Sequence, residues 1–248
     1  MKIKRLQGKL QKTFLFWFFL LISFPVWIFV FIEVLLWYCI GNLMKFLFPK
    51  RYQKIIFQYS KRILDVSVSI TVLLIAFPFL LCIMTCNWVI LGSPIFFIQP
   101  RIGRAQKKFL IIKFRSMCQK NLSGALMSPE EVQISPYGSF IRAYSFDELP
   151  SLWNVLKGDI SLVGPRPLVP EFINDHTPKQ RHCVRPGLTG LAQINGRNFL
   201  HWDEKFAYDI YYVHHQNYVL DLKILLRTLC VLCSGEHSQL ASLEKFFP

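Results

Sequence analysis

Residues 145–167 read SFDELPSLWNVLKGDISLVGPRP, and the fold turns on how this stretch is read. Asp147 and Glu148 are adjacent, Pro150 follows two residues after the pair, and Arg142 precedes Asp147 by five. Proline is tolerated only near a helix start, because it lacks the amide hydrogen and clashes with the preceding turn. A helix over Ser151–Lys157 therefore begins around Ser145 to Asp147. Ser145-x-x-Glu148 has the form of a capping box, in which Ser145 caps and Glu148 returns the bond. That explains Glu148 and leaves Asp147 only as a favourable charge at the positive helix end.

The neighbouring arginines offer a second reading. Arg142, Arg166 in GPRP, Arg185 in VRPGLTG and Arg197 in NGR all lie in or near Gly/Pro turns. A guanidinium fork matches phosphate oxygens, and several forks beside two carboxylates describe a diphosphate site with a divalent cation. Mg²⁺ prefers one or two carboxylates plus substrate phosphates, so Asp147 and Glu148 are the candidate metal ligands. No P-loop, G-x-G-x-x-G, H-E-x-x-H or D-x-D motif occurs. His214 and His215 are adjacent and point apart on a helix, which makes them poor co-ligands.

Outward from this block the chain is apolar and basic. Of 248 residues, 52% are hydrophobic and 18% charged, with mean hydropathy +0.33 and net charge +14, which favours a membrane-associated domain. Residues 1–60 hold nine Lys/Arg against one acid, Glu33. Such a balance fits an anionic membrane face or phosphorylated substrates. Zinc-finger spacing and RNA-recognition signatures are absent, so no nucleic-acid partner is expected. The seven scattered cysteines read as buried, reduced thiols, Cys230-x-x-Cys233 included.

Two apolar segments, about 14–48 and 64–91, are each long enough to span, since ~20 apolar residues cross a bilayer. Both carry positive charge at both ends, whereas a single crossing collects Lys and Arg on one side. For 64–91, which holds Pro78, two forms fit: a kinked spanning helix, or one that breaks at Pro78 and returns to the same face. Hydroxyls such as Ser69 or Thr71 would then satisfy the freed carbonyls. For 14–48 a tilted span, a hairpin and a second re-entrant element all fit. Residues 94–116 read as a small hairpin, 117–138 as a flexible loop, and Trp202–Asn217 as a helix, with the Trp202 and Tyr208–Tyr212 cluster in the core. Leu220–Cys233 is amphipathic and suits either the membrane interface or ordinary packing.

Taken together, several runs resemble one family. They are KRILD (61–65), QPRIG (99–103), KFRSM (113–117), IRAYSFDELPSLWNVLKGDISLVGPRPL (141–168), VRPGLTGLAQINGRN (184–198), KFAYDIYYV (205–213) and LDLKILLRT (220–228). The family is the bacterial sugar transferases, small monotopic polyprenyl-phosphate phosphoglycosyl transferases. The resemblance covers roughly residues 58–230. It implies an α/β membrane-associated fold: a re-entrant helix-break-helix at 64–91, interfacial amphipathic helices and a small globular catalytic part. The implied organisation is an N-terminal hydrophobic segment (1–57), a catalytic domain (58–235) and a C-terminal tail (236–248).

The implied reaction moves a sugar-1-phosphate from a UDP-sugar to undecaprenyl phosphate, releasing UMP. It is the first membrane step of capsule, O-antigen, exopolysaccharide or glycoprotein glycan synthesis, at the cytoplasmic face of the bacterial inner membrane. By this resemblance Asp147 is the nucleophile and Glu148 its partner acid, with Mg²⁺ as cofactor. Lys113, Arg142, Arg166, Arg185 and Arg197 bind phosphates. Membrane lipids are expected partners, and a homo-oligomer is left open. The family often has Ser before the helix-breaking Pro, where this chain has Phe77. An inactive scaffold for later glycosyl transferases is the alternative, and the intact acid pair argues against it.

Overall fold

The computed structural model describes residues 32–41, 43, 46–117, 135–173, 176–196 and 199–234. Most of the first apolar segment, the greater part of the 117–138 loop, Arg197 and the tail lie outside them. A short apolar helix, α1 (Ile32–Gly41), precedes the long helix α2 (Lys50–Leu91). Among the described residues, α2 is the one helix long and apolar enough to cross a membrane. The chain is a mixed helix/sheet protein whose long apolar helix is compatible with membrane association.

Pro78 lies inside α2 and does not end it. Ser69 does not serve the freed carbonyl, because its hydroxyl donates to Asp65 O at 2.6 Å. Phe77 is exposed. Gly92 closes α2 at φ 71°, a left-handed value open to glycine, and its N–H bonds Trp88 O at 3.1 Å. The buried Arg115 guanidinium then collects the carbonyls of Leu91, Gly92 and Ser93, groups a helix end leaves without partners.

The expected hairpin forms from β1 (Phe96–Ile102) and β2 (Lys108–Phe114), antiparallel, with Ile98 opposite Ile112. Helix α3 (Pro136–Ala143) starts inside the stretch read as loop. Pro136 takes the first helical position, and the Ser135 hydroxyl accepts from Gly138 N at 3.0 Å. A 3₁₀ turn over Phe146–Ser151 leads into α4 (Leu152–Lys157), as the proline position predicts. Two three-residue strands, β3 (Ser161–Val163) and β4 (Gly187–Thr189), pair in parallel. The short α5 (Leu191–Ile194), α6 (Trp202–His215) and α7 (Tyr218–Ser234) complete the fold.

Two apolar cores hold these elements. The larger joins Val68 of α2 to Val155, Ile160, Leu162, Tyr208, Tyr212 and Ile224, so α7 is a packed helix on that face. The smaller joins Ile83, in the second half of α2, to Phe114, Ile141 and Phe146. Both halves of α2 therefore pack on the globular part. The cysteines depart from expectation: Cys82, Cys86, Cys183 and Cys230 are free but exposed. Cys82 and Cys86 lie on the outer face of α2, where an apolar thiol needs no water.

Candidate active site

The two-stranded hairpin leaves an edge of β2 without a strand partner, and α4 supplies side chains in place of one. Asn154, fully buried, accepts from Ile112 N at 3.1 Å and donates to Leu110 O at 2.7 Å. Ser151 adds a bond to Ile112 O at 2.7 Å. Unpaired backbone groups are costly to bury, so these bonds lock the segment to β2. This docking sets Glu148 against Lys113 of β2, Nζ to Oε1 at 2.6 Å. Arg166 approaches the same oxygen at 4.0 Å.

The capping box does not form. Ser145 sits in the left-handed region (φ 54°) with no side-chain cap, and only its carbonyl accepts from Glu148 N, at 3.1 Å. Glu148 is instead drawn to Lys113, a charge that local sequence does not reveal. Asp147 has no ion pair within 4 Å among the described residues, although Lys113 and Arg142 are near enough to act on it. Burial, and then the Glu148 charge, push its pKa up to about 6; Lys113 and Arg142 pull the other way.

These groups line a cleft of about 630 Å³, with Arg101, Lys113, Arg142 and Arg166 around the acid pair. The cleft runs on to an aromatic wall of Phe172, Trp202 and Phe206. Trp202 is thus a cleft residue, not core, whereas Tyr208 and Tyr212 are buried as expected. Lys205 stands over the Trp202 ring at 4.7 Å.

The GPRP loop that carries Arg166 is held from several sides. Arg101, on β1, donates to Pro167 O at 3.0 Å; burial and the neighbouring Arg166 lower its pKa. The buried Arg181 donates to Arg166 O at 2.8 Å and pairs with Asp209 Oδ2 at 2.7 Å. The glycines of GPRP and PGLTG let the two loop backbones touch. A Cβ on Gly187 would lie 2.1 Å from Gly164 N, and one on Gly190 2.1 Å from Gly164 O. Arg101, Arg181 and Asp209 act over long sequence separations; the runs QPRIG and KFAYDIYYV include Arg101 and Asp209, and no quoted run includes Arg181.

Of the expected phosphate binders, Lys113, Arg142 and Arg166 gather at Asp147 and Glu148. Arg185 does not join them: it bonds Gly158 O at 3.1 Å and lines a different cleft. Arg197 lies outside the described residues.

Known proteins share this chain's pattern. The bacterial sugar transferase profile matches residues 56–235. The uncharacterised sugar transferase EpsL of Bacillus subtilis is 45% identical over 171 residues, covering 68% of this chain and 85% of EpsL. The undecaprenyl-phosphate galactose phosphotransferase of Salmonella typhimurium is 35% identical over 203 residues, 71% of this chain and 40% of that protein. An Aeromonas hydrophila relative, UDP-N-acetylgalactosamine-undecaprenyl-phosphate N-acetylgalactosaminephosphotransferase, is 32% identical over 190 residues, 73% and 45% respectively. The chain thus spans most of the Bacillus relative and less than half of the other two. The acid pair among cations, the GPRP loop beneath it and a match over most of the chain agree: this chain belongs to the bacterial sugar transferase family.

Proposed function

We propose that the chain transfers a sugar-1-phosphate from a UDP-sugar to undecaprenyl phosphate. The names of the Salmonella and Aeromonas relatives support the reaction class. The observation that carries it is Asp147: a half-buried carboxylate with no ion pair among the described residues, held in a cleft of fixed cations. An Asp147 oxygen attacks the β-phosphorus of the donor. The bond from that phosphorus to the bridging oxygen breaks, UMP leaves with the oxygen, and an acyl phosphate forms. An oxygen of undecaprenyl phosphate then attacks the same phosphorus and expels the Asp147 carboxylate. Splitting the exchange in two is the logic of covalent catalysis.

Arg142, Arg166 and Lys113 hold the diphosphate, and Lys113 also orients Glu148. The donor set fits Mg²⁺: two adjacent carboxylates whose mutual repulsion a cation would relieve, with the donor phosphates completing the shell. Among the described residues no group of three or more ligands makes a metal cage alone. When bound, the ion supplies charge neutralisation of the diphosphate. Asp147 and Glu148 are the residues that would hold it.

The membrane form we favour is re-entrant, with α2 bending at Pro78 so that both its ends lie on the cytoplasmic face. Its support is the packing of both helix halves on the globular part, Val68 in one core and Ile83 in the other. A straight crossing would carry the second core into the bilayer. The scaffold alternative finds no support in this site. The test is UMP release by the nanodisc-held protein with Mg²⁺, undecaprenyl phosphate and a panel of UDP-sugars. Release with one or two sugars is expected from the wild type and none from Asp147→Asn. Release by that variant overturns the nucleophile.

A further inference from the structure

A second cleft, of about 260 Å³, shares no lining residue with the first. Lys61, Arg62, Arg104 and Arg185 all line it. Two of these cations are occupied. Lys61 pairs with Asp221 at 2.5 Å, and Arg62 donates both terminal nitrogens to the carbonyls of Val155 and Leu156 at 2.6 and 2.8 Å. The other two are not. Arg185 uses Nε on Gly158 O, and among the described residues its two terminal nitrogens have no acceptor. The Arg104 guanidinium has none either, by the same measure. The carboxylate lining the cleft, Asp65, already accepts from Leu162 N at 3.1 Å.

Three guanidiniums thus surround one engaged carboxylate. Burial, then Arg62 and Arg104, hold the Arg185 pKa below its ordinary value, so the three like charges are close enough to oppose one another. Two open forks converging on one cleft match a tetrahedral oxyanion. The cleft also has a defined level. Gln58, Tyr59, Lys61 and Arg62 lie directly before the apolar run of α2, and Tyr59 is 72% exposed. An aromatic ring among cations at such a boundary belongs at headgroup depth.

We propose that this cleft is a second anion site, separate from Asp147, that takes the phosphate of an anionic lipid headgroup. Arg185 and Arg104 receive the phosphate oxygens, and Tyr59 lies against the glycerol region.

The test uses the full chain in phosphatidylcholine nanodiscs with and without phosphatidylglycerol. Phosphatidylglycerol retained per protein after detergent extraction is counted by native mass spectrometry. The wild type retains it against excess phosphatidylcholine. Arg104→Ala, a change at an exposed side chain that no protein bond requires, lowers the apparent affinity about tenfold, as loss of one charge-assisted contact would. Arg166→Ala in the first cleft and Lys179→Ala on the surface leave retention unchanged. Equal retention by Arg104→Ala overturns the proposal, and so does an equal loss in either control. In a second arm, inorganic phosphate is added to lipid-free protein in detergent. A thermal shift that depends on Arg104, without phosphatidylglycerol retention, makes the occupant a soluble phosphate and overturns the lipid assignment.

Discussion

Asp147, half-buried, and Asp209, buried, are both carboxylates beside the GPRP loop, and burial raises the pKa of each. Their partners differ. Asp209 is answered by Arg181 at 2.7 Å, and the pair is bonded on to the Arg166 carbonyl. Asp147 has only distant cations and, next to it, a like charge in Glu148. One arrangement neutralises a charge to hold a loop; the other leaves a carboxylate without an ion pair among the described residues, which is what the proposed attack on phosphorus needs. The contrast teaches that the cleft divides its acids: the buried pair fixes the Arg166 loop, and the half-buried acid is the one the proposed reaction would use.

The sharpest way to break this contrast is at Asp147. Asp147→Asn should lower UMP release at least about a thousandfold, the scale of losing a group that reacts covalently. The same change should stabilise the fold at neutral pH. A raised carboxylate pKa means the folded state holds its proton more tightly, so the penalty is absent below the unfolded value. It grows as pH rises toward 6 and is complete above that. A denaturation series should therefore show Asp147→Asn gaining on the order of 2 kcal/mol at pH 7 and almost nothing near pH 3.

At Asp209 the opposite is expected. Asp209→Ala strands the Arg181 charge and should cost about 3–5 kcal/mol in urea unfolding. If it leaves stability intact and only raises KM, the pair is not the loop's anchor.

The pH profile sharpens the comparison from another side. With an Asp147 pKa of about 6, kcat/KM should fall on the acid limb below pH 6, about tenfold per pH unit, because the protonated acid cannot attack. A flat profile down to pH 5 would mean the free acid is not the titrating group. The smallest effect should come from Phe77→Ser. The Phe77 ring is exposed, so stability should change by no more than about 0.5 kcal/mol.

Much of this architecture can be read from residues alone. The hairpin follows from apolar runs broken at Gly103 and the basic turn, and α4 from Pro150 and the stretch after it. The acid pair with Lys113, Arg142 and Arg166 is legible through motif resemblance. What escapes is what distant chain segments decide. Glu148 abandons its capping role because β2 brings Lys113 to it across 35 residues. Arg185 carries the same turn chemistry as Arg166, yet β4 turns it toward α2 and away from the acids. Arg181 and Asp209 are 28 residues apart, and no local pattern marks them as partners. Trp202 reads as core because it begins an aromatic helix, and the cleft mouth leaves it 45% exposed.

The Asn154 joint has a consequence for how this chain can change length. The two cleft acids are registered against β2 by an amide side chain gripping Ile112 and Leu110, and not by a strand ladder that could slide. Add one residue between Glu148 and Asn154, and the helical path turns the acids by roughly 100° relative to that grip. Glu148 would swing off Lys113 while both the helix and the hairpin stayed intact. The segment from Asp147 to Asn154 therefore behaves as a key cut to one length: a single inserted or deleted residue would part Glu148 from Lys113 and, on the proposed mechanism, stop the transfer without unfolding the chain.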